Sequence, residues 1–135
     1  MLEEHLLLWL ACLLIAMPVF AIAWWRQLQT RNANAVDACW VQAVTLTAVI
    51  LLSYAWQGGA RHDLTLILIA LWGGRLSWYL VSDRLIGAQA EDSRYAALRQ
   101  AKGAAWPVWS FFFYQAQALV AMIYAAPALV AAVAP

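Results

Sequence analysis

Four apolar runs, each long enough to cross a bilayer, limit what this chain can fold into more than any motif in it. A hydrocarbon core of about 30 Å takes about 20 helical residues. The runs cover residues 6–25, 36–56, 64–81 and 107–133 of 135, and the first holds no charged or amide side chain. Inside lipid the backbone has no water to bond, so a spanning segment must satisfy its own N–H and C=O groups, as a helix does. With 66% hydrophobic and 11% charged residues, a soluble domain of this size could not hide its apolar surface. The expectation is all-α: one integral membrane domain over residues 1–135, built as a bundle of four transmembrane helices.

A cleaved signal peptide is the rival for the first run, because Ala21-Ile22-Ala23 resembles a small-residue cleavage site. The flank Glu3-Glu4-His5 is not basic and the run is too long for a signal core, so the segment reads as a retained anchor. Net charge is +1, which gives no electrostatic case for nucleic acid. Arg26 and Arg31 lie between spans one and two, and Arg84, Arg94, Arg99 and Lys102 between spans three and four. Arg61 lies on the other side. The excess of basic residues places those two loops in the cytoplasm and both termini outside. Cys12 and Cys39 fall at different depths, which argues against a disulfide; both read as small buried groups. His5 and His62 lack ligand-like neighbours, and no metal site is expected.

Pro18 predicts a kink in span one. Gly58-Gly59 with Arg61-His62-Asp63 predicts a short outer turn. Asn32 and Asn34 suit a turn that caps span two, with Asp37 in its first helical turn near the positive dipole end. Residues 90–102 read as a short amphipathic surface helix with Tyr95 and Leu98 on one face. Its Arg94, Arg99 and Lys102 are positioned to reach lipid headgroups. Among nine tryptophans, Trp24, Trp25, Trp40, Trp56, Trp78, Trp106 and Trp109 fall near the interfaces as an aromatic belt does. Trp72 lies close to mid-span.

The third span carries the feature that asks for a function. Arg75 interrupts it, and a guanidinium at that depth costs roughly 2.5 to 3.5 kcal/mol on the lenient insertion scale. Trp72, Arg75 and Tyr79 share one helical face, and Gly73, Gly74 and Ser77 around them permit close approach by a neighbour. Arg75 could snorkel about 9 Å to the surface, but helical side chains lean toward the N-terminus, here deeper into the bilayer. The expected partners are Gln115 and Gln117 on span four, with Asp37 in reach if its helix is shifted. Gln42, Thr45 and Thr47 add polar groups whose ordinary use is interhelical hydrogen bonding. Asp37, Trp40, Trp72, Arg75, Tyr79, Gln115 and Gln117 are thus the candidate pocket. Glu91, Asp92, Arg94, Tyr95 and Arg99 form a cytoplasmic patch, which a solvated helix start explains only in part.

These residues together resemble the N-terminal half of a bacterial membrane family in the steroid 5-alpha-reductase superfamily, long described only as a domain of unknown function. The likeness rests on Arg31 through Val36, Asp37 and Trp40. It continues in Trp72-Gly73-Gly74-Arg75-Leu76 through Tyr79, Arg84 and Gly87 to Glu91-Asp92-Ser93-Arg94-Tyr95, Leu98-Arg99 and Gly103. Gln117 and Pro127 complete it. The resemblance implies a helical membrane fold that reduces a polarised carbon–carbon double bond in a lipid-like substrate with hydride from NADPH. It implies a bacterial inner-membrane location. Family members run about twice this length, with an Arg-Tyr-Ser-Arg-His-Pro-Asn-Tyr type nucleotide segment in their later helices that this sequence lacks. The expectation is a substrate-side half, inactive alone, with no cofactor of its own. NADPH would join only with the C-terminal half, which a second chain could carry.

Arg75, Tyr79, Glu91 and Tyr95 are the catalytic candidates, since a phenol or an acid there can polarise an enone carbonyl. Two other classes compete. One is a non-catalytic small membrane subunit whose open glycine and aromatic faces form an interface. The other is a four-helix exporter, which needs a buried carboxylate for proton coupling and finds only Asp37, at the edge of its span.

Overall fold

The computed structural model describes residues 2–56, 58–87 and 90–133; 91% of it is helix, with no strand among the described residues. Helix α1 is Leu2–Thr30, α2 is Ala35–Tyr54 and α3 is Ala60–Val81, which runs on into a π-helical turn, Ser82–Ile86. The surface helix α4 is Ser93–Lys102, and a 3-10 turn, Gly103–Ala105, leads into α5, Trp106–Val133. Four helical segments are long and apolar enough to cross a membrane, which fits an integral membrane protein.

Helix α2 is the axis of the bundle. It packs against α5, α3 and α1, while α1 also packs against α5. Its buried residues, Val36 through Leu52, occur on several sides of the helix. The seams that meet are lined with small residues, which allows close approach where lipid supplies no hydrophobic drive between helices. On α1 the seam is His5, Cys12, Ala16, Phe20, Ala23 and Gln27. On α5 it includes Tyr114, Ala118, Ala121, Met122, Ala125, Ala128 and Ala132.

Helix α3 is peripheral. Only 6% of its apolar window is buried, and it lies chiefly against α2. Gly73 makes that contact: a Cβ there would lie 2.1 Å from Thr45 Oγ1, 2.3 Å from Cγ2 and 2.7 Å from Cβ. Ile69 and Leu66, one and two turns earlier on that side, pack against the cluster of Ala48, Leu52, Ala128 and Ala132.

Several element bounds differ from expectation. Helix α1 includes Pro18 and runs past the apolar run to Thr30, because Arg26, Gln27 and Gln29 are good helix formers. The surface helix begins at Ser93, since Asp92 accepts the N–H of Arg94 and ends the preceding loop as its N-cap. Asn34 does not cap α2 with its side chain, which is used elsewhere. The turn between α2 and α3 has Gly58 and Gly59 at positive φ, with Trp56 Nε1 donating to Asp63 Oδ1 at 2.8 Å.

Candidate functional site

The two basic loops meet at one end of the bundle in a polar knot. Asp92 is its first centre. Its Oδ1 accepts from the N–H of Arg94 at 2.9 Å and from Arg94 Nε at 3.0 Å, and its Oδ2 pairs with Arg84. The π-helical turn at the end of α3 carries Arg84 into this pair. Asp92 N–H donates to Asn34 Oδ1 at 2.7 Å, while Asn34 Nδ2 donates to the carbonyl of Ala90 at 3.0 Å. One amide thus holds the 90–92 backbone against the start of α2. Hydrogen bonds from Arg94 and Arg84 hold the Asp92 carboxyl well below the usual carboxylate range.

Glu91 is the second centre. Its Oε1 accepts the Ala33 N–H at 2.8 Å and Arg99 Nη2 at 2.6 Å, and its Oε2 accepts Arg99 Nε at 3.1 Å. This is the bidentate carboxylate–guanidinium geometry that fixes both partners. Arg99 Nη2 also donates to Gln27 Oε1 at 3.0 Å, as Trp106 Nε1 does at 3.2 Å. Gln27 Nε2 continues to Ser110 Oγ, and the Tyr114 hydroxyl donates to the Ala33 carbonyl. The guanidinium of Arg99 lies 4.7 Å over the Trp106 ring. Arg99 therefore faces the bundle and not the headgroups, because its side chain has a buried carboxylate, an amide and an aromatic face to satisfy it. Arg94 stays largely exposed, and Lys102 lies over Trp109.

Asp37 joins this knot. The Tyr95 hydroxyl donates to its Oδ1 at 2.5 Å and Arg94 Nη2 lies 3.5 Å from its Oδ2. The patch Glu91, Asp92, Arg94, Tyr95 and Arg99 is thus brought together, and Asp37 with it. Gln27, Asn34, Arg84, Trp106, Ser110 and Tyr114 belong to the knot without having been counted as site residues. Gln27 had a readable signal, as the next member of the small-residue seam on α1. Arg84 lies only eight positions from its partner Asp92, while Asn34, Trp106, Ser110 and Tyr114 act across large sequence separations that no local pattern marks.

The candidate pocket does not assemble around Arg75. Each helical residue turns the chain by about 100°, so Arg75, two residues beyond the inward-facing Gly73, points about 200° away from α2. Arg75 is exposed and has no hydrogen bond or ion pair among the described residues. With Trp72, Leu76 and Tyr79 it lines an open depression of about 290 Å³ on the outer side of α3. Gln115 instead donates to the Met17 carbonyl at 3.2 Å, and Trp40 packs edge-on against Tyr124 with centroids 5.1 Å apart. Gln117 is half-buried on α5. Neither glutamine reaches Arg75.

A separate apolar groove of about 320 Å³ runs between α1, α2 and the end of α3. Its walls include Cys12, Ala16 and Phe20 on α1, Cys39, Gln42 and Leu46 on α2, and Val81 with Leu85. At the same end as the knot, Arg26, Gln27, Thr30, Asn32, Ala35, Arg84 and Leu85 enclose a smaller polar pocket of about 100 Å³.

A family model described as "Protein of unknown function (DUF1295)" matches residues 20–135. No curated protein and no solved structure matches the chain.

Proposed function

The chain belongs to the DUF1295 family, which is steroid 5-alpha-reductase-like, and from that premise we propose that it forms the substrate-side half of a membrane oxidoreductase. The reaction class is NADPH-dependent reduction of a carbon–carbon double bond conjugated to a carbonyl in a lipid-like substrate. The supporting observation is the outer face of α3, where Trp72, Arg75 and Tyr79 stand together, unpaired and open at one depression. A cation at that depth needs a partner, and this face is where a second helical body would supply one.

The cations of the knot, Arg84, Arg94 and Arg99, already have carboxylate partners in Asp92, Asp37 and Glu91, so the knot itself is not free to take a dinucleotide. Nucleotide binding is therefore assigned to helices outside this sequence, and no step is drawn through the cofactor. What these residues do is narrower. The Tyr79 phenol and the Arg75 guanidinium offer hydrogen-bond donors to the carbonyl oxygen of an enone, where negative charge gathers as the double bond is reduced. The Trp72 ring supplies an apolar wall. Tyr95 is already committed to Asp37, and Glu91 to Arg99, so both are positioning groups that fix α4 and the loop ahead of it.

The test is co-expression with a chain carrying the family's later helices, measuring NADPH oxidation with enone lipids in membranes. Tyr79→Phe and Arg75→Ala should each lower turnover by 10²-fold or so, the usual loss for one donor to a developing oxyanion. Full activity in both variants would remove them from the site. The same open face also suits a second reading, a non-catalytic subunit that binds a larger membrane protein. Co-purification with such a partner and no nucleotide binding would favour it. The exporter reading loses ground, since Asp37, its one candidate for proton coupling, is held by Tyr95 and Arg94.

A further inference from the structure

The apolar groove and the polar pocket adjoin at Leu85, which lines both. From Ala38 to Ile50 the groove follows α2 for about 18 Å at 1.5 Å per residue, close to the ~15 Å depth of one leaflet's hydrocarbon. The only lining side chains that are not hydrocarbon are Gln42 and the two cysteines. The pocket at its end is of opposite character. Arg26 lines it, is exposed, and has no side-chain hydrogen bond or ion pair among the described residues. Arg84 lines it too; although paired with Asp92, its Nε is buried without a hydrogen bond, with Asp83 Oδ2 3.3 Å away in unsuitable geometry. Thr30 and Asn32 complete the rim.

An apolar trough one leaflet deep, ending in a pocket lined by the guanidinium groups of Arg26 and Arg84, matches an amphiphile with a negative head. We propose that this feature is a binding site for an anionic phospholipid of the surrounding membrane. One acyl chain lies in the groove beside Cys39, Gln42 and Leu46, and the phosphate is held by Arg26 and Arg84 Nε–H. The nearby carboxylates Asp83 and Asp92 balance Arg84, so the net attraction for the phosphate comes from Arg26. The site is distinct from the outer face of α3 and does not depend on the reductase reading.

The experiment uses the full chain in zwitterionic nanodiscs or detergent, with thermal unfolding followed as phosphatidylglycerol is titrated in. The expected result is a rise in melting temperature that phosphatidylcholine does not give and inorganic phosphate at equal concentration does not give. Arg26→Gln should weaken the apparent affinity on the order of tenfold, the loss of one charge-assisted hydrogen bond. Leu46→Trp, at a half-exposed wall position, should block the effect while leaving the lipid-free melting temperature unchanged. Equal stabilisation by phosphatidylcholine would reduce the groove to ordinary lipid contact. Equal stabilisation by inorganic phosphate would make it an anion pocket with no lipid role. An Arg26→Gln variant that responds like the parent would overturn the head-group assignment.

Discussion

Gly73→Ala should detach α3 from the bundle, and its neighbour Gly74→Ala should not. A Cβ at position 73 would meet Thr45 on three atoms, at 2.1, 2.3 and 2.7 Å. Rotating the Thr45 side chain moves the first two but leaves its Cβ in place. Bringing that last contact from 2.7 Å to the 3.4 Å of ordinary contact opens the helix pair by about 0.7 Å. Overpacking of this kind costs typically 1–3 kcal/mol, and here the obstacle is a backbone-anchored atom, which favours the upper part of the range. At Gly74 an added Cβ meets nothing within 4 Å. There the gain in helix propensity is roughly 0.5–1 kcal/mol. The two substitutions, one residue apart, should therefore differ by about 2 kcal/mol or more in denaturant unfolding of the detergent-solubilised protein. Thr45→Ala removes the two nearest atoms and a buried hydroxyl with no hydrogen-bond partner but keeps Cβ, so it should relieve Gly73→Ala in part in a double-mutant cycle. Equal stability of the two glycine variants, or no relief from Thr45→Ala, would refute the claim that this contact seats α3.

Three further outcomes follow from the knot. Asp92 has its carboxyl pulled below the ordinary value of 3.8, so it stabilises the fold above that value and the contribution is lost as pH falls below it. The protection of the α4 amides from hydrogen exchange, relative to their intrinsic rates, should fall below about pH 4 in the parent, and Asp92→Asn should flatten that dependence. Glu91→Ala leaves Arg99 without its carboxylate and the Ala33 N–H without its acceptor. With these side chains 10% and 18% exposed, the loss should be on the order of 2 to 4 kcal/mol, read from thermal unfolding. Tyr95→Phe removes the donor to Asp37 and should cost about 1 to 2 kcal/mol while leaving the bundle helical by circular dichroism.

The spans were legible because hydrocarbon length is a one-dimensional property that a sequence shows directly. Their ends were less so. Helix α1 runs to Thr30, beyond its apolar run, since helices continue into the interface whenever the residues there tolerate it. The grouping of Glu91, Asp92, Arg94, Tyr95 and Arg99 was legible as an unusual cluster. Its anchors were not: Asn34 and Asp92 are 58 positions apart, and Gln27 and Trp106 79 apart. Short side chains such as Asn34 also have equally good local uses. An asparagine before a helix reads as a cap, and only the fold shows that its amide has been spent on the neighbouring loop.

Arg75 shows where electrostatic reasoning stops. The cost of a guanidinium in lipid says that it must be compensated, but it does not say by which chain. The inference that adjacent spans hold it needed one more fact, the direction of its face, and two glycines at 73 and 74 left two directions open. Packing chose Gly73, because there the neighbour is Thr45 of α2, whereas a Cβ at 74 would meet open space. That choice turns Trp72 and Arg75 outward together. The compensation then falls to water, to headgroups or to a second protein surface. These alternatives separate in a measurement: a cysteine placed at position 76, beside Arg75 on the same depression, should be readily modified by a polar maleimide in the isolated chain and protected when the family's later helices are co-expressed. Equal reactivity in both states would mean that no such body covers this face, and the reductase reading would lose its structural support.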